Sequence, residues 1–215
     1  MTTSSRSRSA GAPVSTLTDD DLSSNAQRER RKRILDATLT LASKGGYEAV
    51  QMRAVAERAD VAVGTLYRYF PSKVHLLVSA LAREFERIES KGKIPPGHSP
   101  LERMNLILGQ ITKAMQRDPL LTEAMTRAFM FADASAAAEV DQVGKLMDTL
   151  FARAITDGEP TEDELAIARV ISDVWLSNLV AWLTRRSSAT DVAKRLELTV
   201  ELLLGDGSRR PVPSE

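Results

Sequence analysis

The chain has 215 residues, 43% of them hydrophobic and 27% charged, so it is long enough to bury a core in one or two domains and is not disordered throughout. It contains no cysteine and two histidines, which excludes a disulfide scaffold and a cysteine-ligated zinc site and gives no indication of any metal or cofactor. The 29 basic and 29 acidic residues cancel in total, yet residues 25–75 carry a net charge of +5 and residues 76–215 one of −4, which indicates a polyanion-binding module joined to a different body.

Residues 1–24 form the first distinct segment. They are rich in serine and threonine and nearly free of aliphatic side chains, so we predict a disordered tail that cannot offset the entropy of ordering. The tail lacks the apolar core of a secretory signal. Charged residues interrupt each later apolar stretch before it reaches the length of about 18 residues that a membrane span needs. We therefore expect a cytoplasmic protein without membrane contact.

The basic segment, residues 25–75, has the periodicity of a helix-turn-helix unit. A first helix from Gln27 to Lys44 carries an apolar stripe and is expected to end at Gly45-Gly46, as at a left-handed C-cap. Two short helices follow, separated only by residues 60–62. Their apolar residues recur at helical spacing: Met52, Val55, Ala56 and Ala59, then Val63, Leu66, Tyr67 and Phe70. A longer helix that supports two short ones across a tight turn predicts a DNA-binding domain.

Residues 76–206 are predicted to form a helical ligand-binding and dimerisation domain, followed by a polar tail over 207–215. Capping residues and chain breakers indicate helices at about 73–91, 100–117, 119–132, 135–156, 162–184 and 191–204, with a loop over 91–98. The helix at 162–184 is apolar nearly all round and needs cover on several sides. Neither a strand pattern nor an internal repeat occurs, so the fold class is all-α with about nine helices.

The third helix of the basic segment is expected to read DNA. At about 100° per residue, a helical wheel turns Val63, Leu66 and Phe70 inward, turns Gly64, Thr65, Arg68 and Tyr69 outward, and leaves Tyr67 ambiguous. Thr65 and the flanking Val63 would reach base edges in the major groove, and Gly64 would let the backbone approach closely. Arg68 and Tyr69 would bind phosphate oxygens.

Other basic residues would add sequence-independent affinity for the phosphate backbone. They are Arg53, Lys73 and the run Arg28, Arg30, Arg31, Lys32 and Arg33. For any one of them, plain solvation is as good an explanation as DNA contact.

Residues 33–77 resemble the N-terminal domain of the TetR family of bacterial repressors, and TLYRYFPSK at 65–73 is the most specific stretch. The resemblance implies DNA contacts at Arg53, Val63, Gly64, Thr65, Tyr67, Tyr69 and Lys73, and thereby assigns Tyr67 to the contact face. The chain departs from the family at Gln51, Asp60 and Ala62, where threonine, glycine and serine are common. Because Gln51 and Ala62 are poor caps, we expect packing to hold the two short helices.

The second domain offers a soft apolar interior. Methionine adapts to irregular apolar shapes, so the methionine-rich helices predict a site for a bulky hydrophobic effector, with a filled core as an equally weighted alternative. An Arg127 buried there would need an anion, either Asp173 as a structural ion pair or a charged ligand group. The candidate ligand-binding residues are Met104, Leu108, Ile111, Met115, Met125, Arg127, Phe129, Met130, Met147, Phe151, Trp175 and Asn178.

Segments of this domain, such as AMQRDPLLTEAMTRAFMFADASAA at 114–137, resemble an actinomycete TetR-type repressor of cholesterol catabolism. That resemblance implies a steroidal coenzyme A thioester as effector and release of the operator when it binds. The last two helices would pair with their mates in a homodimer on a near-palindromic double-stranded DNA operator. Ligand wedged among helices four to eight would then shift the fourth helix and change the separation of the two DNA-binding domains.

Enzyme motifs such as GxSxG, HExxH and a glycine-rich phosphate loop do not occur, so we predict that the protein is not an enzyme. Two alternatives stay open: a TetR-type regulator of other lipid or drug-efflux genes that senses a different hydrophobic ligand, and a DNA-binding protein without ligand control. The sequence also does not separate a repressor from an activator.

Overall fold

The computed structural model describes residues 24–91, 98–156 and 158–205, and in these ranges the chain is helical without strands, as predicted. A short 3-10 helix, Ala134–Ala136, precedes the seventh of nine α-helices in this part of the chain. Apart from Ser24, which caps α1, the predicted tails lie outside the described residues, as does almost all of the predicted 91–98 loop. The helices are α1 Asn25–Ala49, α2 Met52–Arg58, α3 Val63–Tyr69, α4 Lys73–Lys91, α5 Pro100–Arg117, α6 Pro119–Met130, α7 Ala137–Ile155, α8 Glu162–Leu183 and α9 Ala189–Leu204.

Side-chain caps fix several helix starts where the sequence predicts them. Ser99 and Thr161 each close a capping box with the glutamate three residues further on. Ser188 closes a third box with Asp191, so α9 begins at Ala189, two residues earlier than predicted. Each box satisfies backbone N–H groups that have no partner within the helix, and the local sequence therefore decides where these helices begin.

The first helix leaves helical geometry at Gly45-Gly46 and then continues for one more turn to Ala49. Gly46 has φ +64° and ψ −159°, a conformation open to glycine but different from the predicted left-handed cap. A Cβ on Gly45 would lie 2.6 Å from the Cβ of Ala49. Both glycines are thus needed for the kink, which brings Tyr47 and Glu48 against α6.

The helix-turn-helix unit, residues 25–75, is called the head below, and residues 76–206 are called the body. α4 begins in the head and packs against α1, α6 and α7, while α1 lies along α6 over much of its length. A single apolar core extends from Ile34 and Phe70 in the head to Phe151 in the body. The apolar core is therefore continuous across the predicted domain boundary at residue 75.

The two helices predicted to form a dimer interface, α8 and α9, also pack against other helices of the same chain. By length and composition, α8 could cross a membrane, contrary to the expectation that charge interrupts every such stretch. One third of that window, 33%, is buried, and the helix packs against α7 and α9. The predicted interface stripe of α9, with Val192, Leu196 and Val200, is buried inside the chain. Exposed Leu198 and Leu202 form a second apolar row on α9.

Candidate nucleic-acid interface and effector interior

α3 presents an exposed face at the surface of the head. Gly64, Tyr67 and Arg68 are exposed, and Thr65 is half-buried. A Cβ added to Gly64 would meet no atom within 4 Å, so the fold does not require glycine at this position. The open space beside Gly64 is what close approach of a DNA backbone would use.

Two orientations predicted from the helical wheel are wrong. Val63, predicted to point inward, is 38% exposed, and Tyr69, predicted to point outward, is 5% exposed. The Tyr69 ring instead packs beside that of Phe70, with centroids 6.5 Å apart. α3 has seven residues, so its core axis depends on how it lies against its neighbours, which a wheel does not contain. Val63 joins the exposed face, whereas only a small part of Tyr69 is available for contact.

Packing and turn geometry hold α2 and α3, as predicted. Gln51 and Ala62 stand at the two N-cap positions, and neither makes a side-chain cap hydrogen bond. Asp60, between the helices, has φ +52°, the left-handed region that aspartate tolerates better than most residues. Leu66 and Phe70 are fully buried and anchor the far side of α3.

The predicted phosphate-binding cations have different surroundings. Arg53 is exposed at the start of α2, and the guanidinium of Arg31 lies 5.6 Å from the centroid of the Phe70 ring. Lys73 is engaged within the protein: its Nζ donates to the carbonyl oxygen of Tyr47 at 2.8 Å and lies 3.8 Å from the centroid of the Tyr47 ring. Burial lowers the pKa of the Lys73 ammonium, and the charge of Glu48 opposes that shift. DNA contact by Lys73 stays a prediction.

The prediction that Arg127 is buried in the body, with either Asp173 or a charged ligand group as its partner, is wrong. Its side chain is 46% exposed and pairs with Glu48 at 3.2 Å and Glu123 at 3.9 Å. Its Cζ also lies 4.3 Å from the centroid of the Tyr47 ring. α6 faces α1 at this point, so the guanidinium turns toward the head and not into the body. Tyr47, which the sequence analysis did not single out, thus contacts two cations.

Most of the other predicted effector residues do lie in the interior of the body. Phe129 is half-buried, but Met130 is 49% exposed beside the exposed Phe131, so the prediction that Met130 faces the interior is wrong. Because α6 ends at Met130, its last residues leave the packed bundle. The buried members of the set are Met104, Leu108, Ile111, Met115, Met125, Met147, Phe151, Trp175 and Asn178.

Two buried polar atoms on α8 have no hydrogen-bond partner among the described residues: Oγ of Ser172 and Oδ1 of Asn178. The amide nitrogen of Asn178 donates to the carbonyl of Val174 at 2.8 Å, so the unpaired atom is an acceptor. Trp175, between them along α8, donates to Thr112 Oγ1 at 3.3 Å and meets Phe85 edge-on. An unsatisfied buried acceptor costs about 1–3 kcal/mol, and a polar group on a bound effector would supply its partner.

Ser172 could not be predicted from the sequence, because a lone serine in an apolar helix carries no periodic signal. For Tyr47, the Gly-Gly turn immediately before it was the available clue. Across the described ranges, no cluster of three or more histidine and carboxylate side chains could hold a metal ion.

Two family descriptions match most of the chain. Residues 34–80 match "Bacterial regulatory proteins, tetR family", and residues 97–203 match "Tetracyclin repressor-like, C-terminal domain". The first match contains α2 and α3 and therefore includes the exposed face of α3.

Relatives and solved structures agree with these matches. The chain is 89% identical over 211 residues to the HTH-type transcriptional repressor KstR of Rhodococcus jostii, covering 98% of this chain and 100% of that protein. A TetR transcriptional regulator from Rhodococcus sp. RHA1 superposes with a TM-score of 0.76 at 32% identity, covering 85% of this chain and 99% of that one. FadR from Bacillus subtilis, solved in complex with stearoyl-CoA, shares the fold at a TM-score of 0.57 and 20% identity, covering 81% and 98%.

Proposed function

This chain belongs to the TetR family of bacterial transcriptional regulators, and we propose that it is a cholesterol-catabolism repressor that binds a palindromic operator as a homodimer and is released by a steroid-derived acyl-CoA. It is a TetR-type transcriptional repressor and not an enzyme. The operator symmetry, the dimer and the effector belong to the proposal. Proteins of this family are cytoplasmic in general, and we expect the same of this chain. The observation that carries the proposal is the exposed α3 face on a basic head.

In the proposed complex, α3 enters the major groove with Val63 and Thr65 toward base edges. The backbone at Gly64 approaches the DNA, and Tyr67 and Arg68 contact phosphates. Arg53, Lys73 and the basic run at 28–33 add salt-dependent affinity, in keeping with the net charge of +5 on residues 25–75. The buried Tyr69 contributes only through its small exposed part.

The proposed dimer uses the outer faces of α8 and α9. Leu198 and Leu202 on α9 are one helical turn apart and exposed, and Val170 on α8 is exposed as well. A row of exposed leucines on a helix that also has a buried face indicates a partner, and a four-helix interface with a two-fold mate would cover it. Two heads related by that axis would read two half-sites.

The proposed effector binds in the body, between α4 and α8. The buried methionines can adapt to a bulky ring system, and the unpaired oxygens of Ser172 and Asn178 offer polar anchors. Because Asn178 Oδ1 only accepts, its partner on the effector would be a hydroxyl or another donor. The same fold holds stearoyl-CoA in FadR, and the resemblance to cholesterol-catabolism repressors favours a steroidal thioester here.

Release is proposed to act through α4. This helix starts in the head at Lys73 and crosses the body against α6 and α7. We expect the effector to bind more tightly to the conformation with α4 displaced than to the conformation that binds the operator. Saturating effector then lowers the operator affinity by up to the ratio of the effector affinities for these two conformations. The two heads would then no longer fit successive major grooves.

The test selects a duplex from random-sequence DNA and measures its release from the protein at fixed salt. The probes are cholesterol, cholestenoyl-CoA, stearoyl-CoA and free coenzyme A. We expect the selected site to be a palindrome and cholestenoyl-CoA to release it. Arg68→Gln should weaken binding by about 3- to 10-fold, since one phosphate contact is lost, whereas Arg58→Gln, a matched exposed arginine in the last turn of α2, should not.

Each other outcome contradicts one part of the proposal. Release by stearoyl-CoA but not by the steroidal thioester would favour a regulator of other lipid genes. Tighter DNA binding with ligand would reverse the proposed direction of coupling. Equal affinity for random and selected duplexes would favour a DNA-binding protein without ligand control.

A further inference from the structure

We propose that Arg127 is a positioning residue that fixes the orientation of the head relative to the body by holding the Tyr47 ring. This inference rests on the proposed function only for its consequence at the operator. The contact joins α6, the kink after Gly46 and the first residue of α4. We call Tyr47, Glu48, Lys73 and Arg127 the latch.

The latch is built around one aromatic ring. The guanidinium Cζ of Arg127 lies 4.3 Å from the ring centroid of Tyr47, and Nζ of Lys73 lies 3.8 Å from it. Lys73 also donates to the Tyr47 carbonyl at 2.8 Å. The ring therefore has contacts with a body helix and with the start of α4 at the same time, and the backbone of the same residue is tied to α4.

Electrostatics explain why two cations share this place. Glu48 lies 3.2 Å from Arg127 and 3.9 Å from Lys73, and Glu123 lies 3.9 Å from Arg127, so carboxylates offset the repulsion between the cations. The Glu48 side chain is 77% exposed, however, and such an ion pair contributes little by itself. The cation–π contacts, with partly desolvated Lys73, are the stronger part of the latch.

The backbone before Tyr47 sets the direction in which its ring points. Gly45 and Gly46 leave the helical conformation immediately before Tyr47, and that kink presents the ring to α6. The kink depends on both glycines, because a side chain at either position is disfavoured. A movement of α6 relative to α4 must therefore either carry the head with it or break the contact of Arg127 with the ring, which is the kind of two-state element that switching proteins use.

The first experiment measures the head-to-body distance without DNA or effector. The chain has no cysteine, so cysteines at exposed Glu57 in α2 and Lys145 in α7 are unique spin-label sites, and dilution with unlabelled chain isolates the distance within one protomer. We expect Arg127→Gln to broaden the distance distribution or shift it by about 2 Å or more. Tyr47→Leu should do the same, and the double variant should add little, because both remove one interaction.

Arg169→Gln is the matched control, since Arg169 pairs with Asp148 at 3.3 Å wholly within the body. Its distribution should equal that of the parent. If Arg127→Gln does not fold, Arg127→Met, which keeps a long side chain and removes the charge, takes its place. An unchanged distribution in the folded Arg127 variant overturns the latch.

A second readout separates the latch from the proposed function. On the selected duplex, Arg127→Gln should change the operator affinity and the cholestenoyl-CoA concentration for half release by about 3-fold or more. The reason is that a less firmly held head spends a smaller fraction of its time in the orientation that binds the operator. Arg169→Gln should change neither. If the parent protein ignores duplex DNA, the proposed function fails, and the distance measurement alone decides the latch.

Discussion

The Nε2 atom of His75 lies 3.0 Å from the carbonyl oxygen of Ser135 and so joins the first turn of α4 to the 3-10 helix before α7. The Nδ1 atom lies 2.8 Å from Oγ of Ser72, which also accepts the N–H of Val74 at 3.2 Å. A carbonyl only accepts, so Nε2 of His75 carries a proton and donates it to the Ser135 oxygen. This buried side chain connects residues 60 positions apart.

We expect His75→Leu to lower the free energy of unfolding by about 0.5–1.5 kcal/mol, because it removes the hydrogen bond from Nε2 to the Ser135 carbonyl. His75→Gln keeps a donor near that carbonyl and should lose less than half as much. Urea unfolding of both variants tests this, with Ser72→Ala as a control for the capping hydroxyl alone. Equal losses for the leucine and glutamine variants would contradict the role of the hydrogen bond.

Gly64→Ala separates folding from DNA binding. The added methyl group meets no protein atom within 4 Å, and alanine favours a helix over glycine by about 1 kcal/mol, so the melting temperature should stay or rise. If the backbone approaches DNA here, the methyl group should weaken operator binding by about 10-fold or more. A variant that binds the selected duplex normally would place the DNA elsewhere.

Tyr67 and Tyr69 should respond differently to substitution. Tyr67→Ala removes an exposed ring and should weaken operator binding with little change in stability. Tyr69→Ala removes a buried ring and should destabilise the fold by about 3–5 kcal/mol. Tyr69→Phe keeps the ring and tests the hydroxyl alone: a drop in operator affinity with unchanged melting would assign it a DNA contact.

Three capping carboxylates should make stability depend on acid pH. Hydrogen bonds from a neighbouring serine at a helix start lower the pKa of each carboxyl. A lowered folded-state pKa stabilises the protein above the unfolded-state value, and that stabilisation is lost as the pH falls through the folded-state value. The free energy of unfolding should therefore decrease from about pH 5 to about pH 3. The carboxylates are Glu102, Asp133 and Asp191.

The triple variant Glu102→Gln, Asp133→Asn and Asp191→Asn should show a flatter dependence of the free energy of unfolding on pH. Urea unfolding at a series of pH values measures this slope in the variant and in the parent. Asp163→Asn changes an exposed carboxylate in the first turn of α8 that does not close a capping box, and it should keep the parental slope. A slope in the triple variant as steep as the parent's would assign the acid sensitivity to other groups.

Leu198→Glu and Leu202→Glu should convert the proposed dimer into a monomer, because each puts a charge into the apolar row of α9. Light scattering after gel filtration measures the mass, and the monomer should bind one half-site only weakly. Leu106→Glu on α5 changes another exposed leucine, outside the proposed interface, and should leave the mass unchanged. A dimeric Leu202→Glu protein would place the interface elsewhere.

The sequence by itself determined the all-helical architecture and most helix boundaries. Capping boxes such as those at Ser99 and Thr161 act over three residues, so their effect is present in the local sequence. The same locality makes the TLYRYFPSK stretch recognisable and identifies the exposed face around Gly64 and Arg68. The roles of these residues at DNA stay predictions.

The tertiary structure decided the orientations and partners that depend on distant parts of the chain. Val63 and Tyr69 exchanged their predicted sides because the docking of a seven-residue helix, and not its period, sets its buried side. Arg127 pairs with Glu48 and Tyr47, which the kink at Gly46 brings to α6, and no local pattern encodes that meeting. A sequence specifies helices through neighbours a few residues away, whereas charges and rings find their partners only once the helices have packed.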